Sequence, residues 1–308
     1  MSIPEGRPAR DRPRRRRWLW ALLAIPILAA LAFAALPWIV SSPWFKPRLQ
    51  AEADRILAPS GVAFDRIQLS WFRPTRLQGP ALLAPDGRKL VSAPSGTFSW
   101  TFWQILFARP VVGELRMHRG AVDIGRSVDG RVDLVETLKP LLKTKPKHTI
   151  QVRIEDATLK FTQQGVADPF YADRADIALD LTRYPDPIAW DFRLARDDEP
   201  SGPGTLNLTG SLGRVEEGVN PMRNVALAVA GDRWPWRITP TVGDLVGFKV
   251  SGVYTGSLDL KVVDGALTTS GATTIEDLRI GGERLSGDEV RQDRVRIDWK
   301  ADGGGGVY

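Results

Sequence analysis

The sequence of 308 residues contains no cysteine and only two histidines, His118 and His148. Without thiols the chain has no disulfide, no thiolate metal site and no cysteine nucleophile. Neither histidine has a second histidine or a carboxylate at metal-ligand spacing, so both are predicted to be ordinary surface residues. The sequence therefore predicts neither a metal ion nor a cofactor.

The residue combinations that make an active site are also missing from the sequence. An enzyme needs a nucleophile, a base and an orienting group in one pocket. Here the acidic residues are scattered through turns, no serine has a suitable histidine nearby, and no glycine-rich loop follows a strand. The glycine run at 303–306 is a terminal low-complexity segment. We predict from this that the protein is not an enzyme.

Positive charge is concentrated in the first 17 residues, which carry seven arginines against Glu5 and Asp11, a net charge of +5. The whole chain has a net charge of +6, so the remainder carries only about +1. Nucleic-acid binding needs a basic face on the folded part of a protein. The charge distribution therefore predicts no nucleic-acid partner. The arginines of the tail are instead expected to set the orientation of the chain in a membrane.

Charged residues are absent between Arg17 and Lys46, and residues 18–40 are long enough to form a transmembrane anchor. The alternative is a cleaved signal peptide, because Ala-Phe-Ala at 32–34 resembles a cleavage site. The apolar run continues beyond that site through Val40, which favours a retained anchor. The residues expected to set its orientation and its two interfaces are Arg14, Arg15, Arg16, Arg17, Trp18, Trp20, Trp38 and Trp44.

After the anchor, apolar residues at helical spacing predict a short amphipathic helix over 45–57, ended by Gly61. This helix would lie at the membrane interface, cap the end of a sheet, or pack on the first strands. From Val62 the period changes to two, and turn dipeptides recur at short spacing, which indicates an antiparallel all-β fold. Further helices are expected only at 101–107 and 134–143.

A weak internal repeat is present. Residues 115–124 can be aligned with residues 152–161, and each copy is predicted to be a strand, a two-residue polar turn and a second strand. A third copy would begin at Leu278. Chance similarity between hairpins is the alternative explanation.

The order of these features resembles the AsmA-like proteins, the group that includes the TamB translocation-assembly proteins and the bridge-like lipid transporters of bacterial envelopes. The matching features are the anchor, the helix ending near a glycine, and Leu69-Ser70-Trp71. They continue with Pro85-Asp86-Gly87, the apolar segment Trp103-Gln104-Ile105-Leu106, and Asp129-Gly130-Arg131-Val132-Asp133-Leu134. The resemblance covers residues 18–165 well and the rest loosely. Large members of the family are several times longer, so the chain is a short member or a fragment.

The resemblance implies a mainly β fold in which a transmembrane helix precedes an elongated, twisted antiparallel β-sheet that forms a groove of repeated strands. It also implies a role at the cell envelope, in lipid transport or outer-membrane assembly. The arginines before the anchor predict an inner-membrane protein with a cytoplasmic N-terminus and the bulk of its chain in the periplasm. Membrane lipids and other envelope proteins would be its partners. The alternative function is a structural or assembly module that pairs its sheet edge with partner proteins.

The domain organisation predicted from these features has six parts. It consists of a basic tail (1–17), the anchor (18–40), a juxtamembrane helix (41–60), a first β-rich unit (61–145), a second β-rich repeat region (146–302) and a glycine-rich terminus (303–308). The apolar side of the early strands would line the groove. Its candidate residues are Ile67, Leu69, Leu77, Leu82, Val122 and Ile124, which could equally form a packed core.

Overall fold

The computed structural model of the chain describes residues 14–108, 112–127, 131–134, 136–138, 149–163, 170–181, 187–196, 203–213, 224–238, 249–282, 285 and 288–303. The side chains of the first helix are described from Ala24 onward. The molecule is mainly β, with one large sheet and few short helices. This confirms the predicted fold class at that level.

Two helices precede the sheet, α1 (Arg14–Val40) and α2 (Lys46–Leu57). Helix α2 ends before Pro59, because the residue before a proline favours an extended backbone and Ala58 adopts φ −49° and ψ 135°. Gly61 therefore begins the first strand. The prediction that Gly61 ends the helix is wrong, because the helix ends at Leu57. No helix in the described part of the chain combines the length and the apolar character that are needed to cross a membrane.

The two later predicted helices are confirmed where the structure describes them. The first is a short turn at 102–103 that continues as a π-helix, Gln104–Ala108. The second covers Asp133, Leu134 and residues 136–138, and the rest of the predicted range to 143 lies outside the described residues. Arg88 holds this second helix against the sheet, because its guanidinium pairs with Asp133 and lies 3.6 Å from Asp123.

Sixteen strands form the sheet. They are β1 (Gly61–Ala63), β2 (Arg66–Gln68), β3 (Thr75–Gln78), β4 (Ala81–Leu83), β5 (Lys89–Ser92), β6 (Ser95–Phe98), β7 (Val112–His118), β8 (Ala121–Arg126), β9 (Thr149–Gln163), β10 (Phe170–Leu181), β11 (Ile188–Arg196), β12 (Gly204–Leu212), β13 (Val225–Ile238), β14 (Lys249–Val263), β15 (Ala266–Gly281) and β16 (Val290–Gly303).

The strand order is β1-β4-β5-β8-β9 and then sequential to β16, with β2, β3, β6 and β7 beside the first part of this path. All pairs are antiparallel except those of β9 with β7 and β8, which are parallel. The prediction of a purely antiparallel sheet is wrong at this one place. The chain between β8 and β9 is long enough for the crossover that parallel neighbours require.

The eight short strands are halves of four longer ones. Strands β1 and β2 pair with β4 and β3 in one continuous register, from Gly61↔Leu83 to Gln68↔Arg76. The breaks between the halves lie beside one another, and Gly79 in one of them has φ +59°. The two strands predicted at 62–69 and 77–83 are therefore correct in extent, but each is interrupted at the break between its two halves.

The interruption continues into the long strands as bulges. Asp156 in β9, Arg233 in β13 and Asp277 in β15 have φ between +49° and +54°, and the register shifts in the pairings there. Bulges bend a strand and increase its local twist. The sheet is therefore bent along a line that crosses most of its strands.

The internal repeat lies side by side in the sheet. Strands β7 and β8 pair in parallel with β9, from Leu115↔Val152 to Ile124↔Phe161, which is the register of the sequence alignment. The predicted polar turn of each copy is instead a bulge in a strand that continues, with Arg119 and Asp156 both at φ +54°. The two copies are adjacent strands and not two hairpins.

A single core cluster lies along the bend. It contains apolar residues from β5 to β13, and Leu90 and Ala157 are fully buried within it. Leu134 of the short helix packs against this cluster. Among the described residues, the core therefore extends across the middle of the sheet, from β5 to β13.

Candidate apolar binding face

One face of the sheet is apolar from β9 to β16. Residues that pair directly across strands have side chains on the same face. One such row passes from Ile154 through Ile177 and Phe192, and then through Leu208, Val229 and Leu258. A second row passes through Val152, Leu179, Trp190, Gly210, Leu227 and Leu260. We call the surface formed by these rows and their extensions on β15 and β16 the apolar face.

The opposite side of the same strands is polar. In β14 the residues between the apolar ones are Ser257, Asp259 and Lys261, all exposed. Ion pairs follow the polar side, including Arg193 with Asp191 at 3.1 Å and Arg296 with Asp298 at 3.0 Å. The sheet is thus amphipathic over eight consecutive strands, β9 to β16.

The apolar face is only partly covered. Leu206, Leu208, Leu258 and Leu260 are half-buried, and Ile297 on β16 is 47% exposed. In the described part of the chain, neither α1, α2 nor the π-helix packs substantially over β11–β16. Large side chains in an ordinary core are covered on every side. Among the described residues, the later half of this face is therefore only partly covered.

Aromatic rings lie over glycines on this face. Trp190 is directly opposite Gly210, and Trp299 is directly opposite Gly271. A Cβ atom on Gly210 would lie 2.5 Å from the Trp190 ring, and one on Gly271 would overlap the Trp299 ring. Tyr254 covers Gly231 in the same way. These rings therefore pack against the backbone of a neighbouring strand, where a side chain on the glycine would displace them.

The six residues predicted to line a groove divide into three groups. Ile67 and Leu77 pair with each other, and their row reaches Met117 and Ile154 through Gly96. Leu82, Val122 and Ile124 belong to the core cluster or pack against it, and Val122 is 3% exposed. Leu69 lies outside the strands.

Leu69 is instead close to helix α1. Its backbone N–H donates to Ser41 Oγ at 2.9 Å. It also lines a cleft of about 500 Å³ between α1 and the loop after β2, together with Leu31, Ala34 and Trp71. The predicted spacing that would place it on one face with Ile67 does not apply, because β2 ends at Gln68.

The best-exposed part of the apolar face was missed by the sequence analysis. Strict alternation was nevertheless present in Thr205-Leu206-Asn207-Leu208-Thr209 and in Ser257-Leu258-Asp259-Leu260-Lys261. Such alternation is typical of a strand with one apolar face. The alternation within one strand does not show the register in which neighbouring strands pair.

Trp71 connects the sheet to helix α1. Its ring stacks on Phe33 with centroids 4.4 Å apart, and its indole N–H donates to the Ala34 carbonyl oxygen at 3.1 Å. Phe102 and Trp103 lie 5.0 and 6.3 Å from the same ring. Of the predicted interface tryptophans, Trp38 and Trp44 are highly exposed, at 86% and 89%. The described side chains of α1 exclude Trp18, Trp20 and the four arginines.

Helix α2 covers the first edge of the sheet. Asp54 Oδ1 accepts a hydrogen bond from the Val62 N–H at 2.9 Å, and Gln50 Nε2 donates to the Val62 carbonyl at 3.2 Å. Both backbone groups of an edge residue are thereby satisfied. Of the roles predicted for this helix, packing on the first strand and closing the sheet edge are the ones it has here.

The charged groups near the bend form ion pairs on the polar side. Glu114 Oε1 accepts a hydrogen bond from the Arg116 guanidinium at 3.0 Å, and this contact raises the pKa of Arg116 above its ordinary value. His118 Nδ1 lies 2.9 Å from Glu155. Among the described residues, no group of three or more His, Asp and Glu side chains is placed to hold a metal ion.

Comparison with known proteins adds no relative. The sequence matches none of the protein-family models, and no curated protein is similar enough to be aligned with it. The resemblance to the AsmA-like proteins therefore stays a prediction from the order of the motifs.

Proposed function

We propose that this is a membrane-anchored envelope protein whose apolar face holds the acyl chains of phospholipids, for lipid transport or outer-membrane assembly. The observation that carries the proposal is the apolar face of β9–β16, which is half-buried and has aromatic rings lying over glycines. The order of motifs that resembles the AsmA-like proteins supports the same function.

Such a surface suits lipid handling for a simple energetic reason. Each methylene of an acyl chain that leaves water contributes about 0.8 kcal/mol. Transfer from a bilayer to an apolar face exchanges one apolar environment for another, so its net free energy is small. A face lined by leucine, valine and isoleucine can therefore accept and release acyl chains without a specific recognition site.

The length of the face also fits this role. The face crosses eight strands, β9 to β16, and adjacent strands lie about 4.8 Å apart, so the face extends about 34 Å along the strand order. The other end of the sheet, at β1 and β2, lies beside α1, where Trp71 contacts Phe33. The proposal makes α1 the retained anchor, with its N-terminus in the cytoplasm and the sheet in the periplasm, on the basis of the uncharged run at 18–40 and the arginines before it.

Charge substitutions on one strand test this function. Leu258→Glu and Leu260→Glu place a carboxylate on the apolar face, and Ser257→Glu places one on the polar face of the same strand. We expect the first two variants to lose co-purifying phospholipid, measured by mass spectrometry, with a stability loss of about 1 kcal/mol, since the sites are half-buried. Ser257→Glu should retain the lipid.

A fully buried position gives the contrast. Leu90→Glu should unfold the domain, because an unpaired carboxylate in a dry core costs several kcal/mol. If Leu258→Glu and Leu260→Glu unfold the protein as Leu90→Glu does, these leucines are ordinary core residues. If both fold and still carry the lipid, the apolar face is not the binding surface.

A second candidate function is an assembly module that extends its sheet into a partner protein. It is favoured by β16, a strand of 14 residues that pairs only with β15 among the described strands. An exposed edge of this length can accept another strand. A partner strand that crosslinks to β16 in a protein that carries no phospholipid would favour this function over lipid handling.

A further inference from the structure

An apolar surface beside α1 has no part in the sheet. It consists of the loop after β2 with Trp71 and Phe72, and the segment 102–108 that contains the π-helix. We call it the aromatic collar. Its exposed members are Phe72, Trp103, Ile105, Leu106 and Phe107, with exposures from 42% to 84%. No charged residue occurs from Phe98 to Ala108.

The collar is built as one unit. Phe102 is buried, and its N–H donates to the Ser70 carbonyl oxygen at 2.9 Å. The rings of Trp103 and Phe107 lie 4.5 Å apart, and Phe107 lies 6.3 Å from Phe33 of α1. These contacts hold exposed apolar side chains against the helix, so their exposure is part of a fixed arrangement.

The contact with Phe33 sets the level of the collar along α1. Phe33 precedes the end of the helix at Val40 by seven residues, which at 1.5 Å per residue is about 10 Å. If α1 is the anchor, residues stacked on Phe33 lie about 10 Å inside the end of the span. Rings of interfacial segments penetrate to a depth of about 5–10 Å.

Basic residues border the collar. Arg73 and Arg76 are exposed and follow Phe72 in the chain. Arginines beside an apolar wedge can reach the anionic headgroups while the rings lie deeper. Exposed apolar rings with arginines beside them match a lipid leaflet that has anionic headgroups.

The collar also adjoins the apolar face. Phe98 and Trp100 precede the π-helix and their rings lie 4.8 Å apart, and Phe98 pairs with Leu115, which pairs with Val152. The cleft lined by Leu69 and Trp71 lies between the collar and α1.

We infer that the aromatic collar inserts into the periplasmic leaflet of the membrane that holds α1, and that it forms the mouth through which acyl chains pass between that leaflet and the apolar face. The partner is a phospholipid leaflet with anionic headgroups. This inference rests on the proposed function, because it assumes that α1 is the anchor and that the face carries lipid.

The absence of cysteine allows a direct test. Single-cysteine variants Ile105→Cys and Leu106→Cys of the full chain carry a spin label in nanodiscs of phosphatidylethanolamine and phosphatidylglycerol. Ser257→Cys on the polar side of β14 is the control, since Ser257 is exposed and distant from the collar along the strand order. Accessibility to oxygen and to a water-soluble nickel complex gives the depth of each label.

We expect both collar labels to be shielded from nickel and accessible to oxygen, at a depth of about 5–10 Å, while the control stays accessible to nickel. Nickel accessibility of the collar labels equal to that of the control would overturn the inference. Shielding of the collar labels from nickel in protein from which lipid and detergent have been removed would also overturn the inference. A protein partner or a second copy of the chain would then cover the collar.

The same samples separate this inference from the proposed function. Inserted collar labels in a protein whose Leu258→Glu variant carries as much phospholipid as wild type would overturn the proposed function and leave the membrane contact in place. The opposite result is that the collar labels are accessible to nickel while the Leu258→Glu variant loses its phospholipid. That result would overturn the membrane contact alone.

Discussion

Glycines on the apolar face are required by the aromatic rings beside them. Gly210 is the clearest case, because a Cβ atom there would lie 2.5 Å from both the Trp190 ring and the Ala226 carbonyl oxygen. The ring cannot move toward the sheet, so it would have to lift into the space above the face. The position of the Trp190 ring therefore depends on the absence of a side chain at residue 210.

Gly210→Ala should therefore destabilise the protein by about 1–3 kcal/mol, the usual cost of overpacking. Gly281→Ala is the matched control, because no atom lies within 4 Å of the Cβ position there. Its effect should stay within about 0.5 kcal/mol. Urea unfolding of the two variants measures the difference, and equal stabilities would show that Trp190 does not lie on Gly210.

Single residues were more predictable from the sequence than pairs of residues. The turn at Asp264 and Gly265 was visible in the sequence, and both residues have positive φ, as the two central residues of a tight hairpin turn require. The pairing of Trp190 with Gly210 was not predictable, because it depends on the register of β11 with β12. A glycine in a strand indicates only that some group comes close.

Bulges determine the shape of the long strands. Asp156 interrupts β9 with φ +54°, and its N–H donates to Asp176 Oδ1 of β10 at 3.0 Å. Its neighbour across the parallel pair, Arg119, has the same φ. The bend of the sheet thus passes through matching positions of the two repeat copies.

Asp156→Val should cost about 1–3 kcal/mol, because a β-branched residue is strained at positive φ. Asp156→Gly is the control, since glycine adopts this backbone conformation without strain. The melting temperature of the valine variant should be well below that of the glycine variant. A valine variant as stable as the glycine variant would mean that the bulge is absent or can relax.

The elements themselves were largely predictable, and their connections were not. Helices at 46–57 and 102–108 and the strands that follow Val62 agree with the sequence periodicity. A two-residue polar turn was predicted in each repeat copy, whereas Arg119 and Asp156 are the positions of bulges between segments that continue in the same direction. The residue types that favour positive φ are the same in a turn and in a bulge, so only the pairing partner distinguishes them.

Among the described residues, the sheet has one edge that a helix covers and one edge without a neighbouring strand. Helix α2 satisfies the backbone groups of Val62 at the first edge, while β16 has a neighbour on one side only among the described strands. The groove residues predicted from the early strands lie nearer the edge that the helix covers. The sequence could not show this, because burial along a sheet depends on which elements cover it.

The orientation of the anchor is a prediction for the intact cell envelope. The arginines before Trp18 should keep the N-terminus in the cytoplasm, so protease added to intact spheroplasts should remove the chain after about residue 45. A tag placed before Met1 should stay protected until the membrane is permeabilised. Protection of the sheet in intact spheroplasts would contradict this orientation.

The central claim is that acyl chains contact the apolar face and not the polar face. A photoreactive p-benzoylphenylalanine at Leu260 tests it most directly, with the same residue at the adjacent Lys261 as the control, because consecutive strand residues point to opposite faces. The protein is irradiated in cells, purified, and examined for phospholipid adducts by mass spectrometry. We predict adducts from position 260 and none from 261. Equal yields from both positions, or adducts from neither, would contradict the claim.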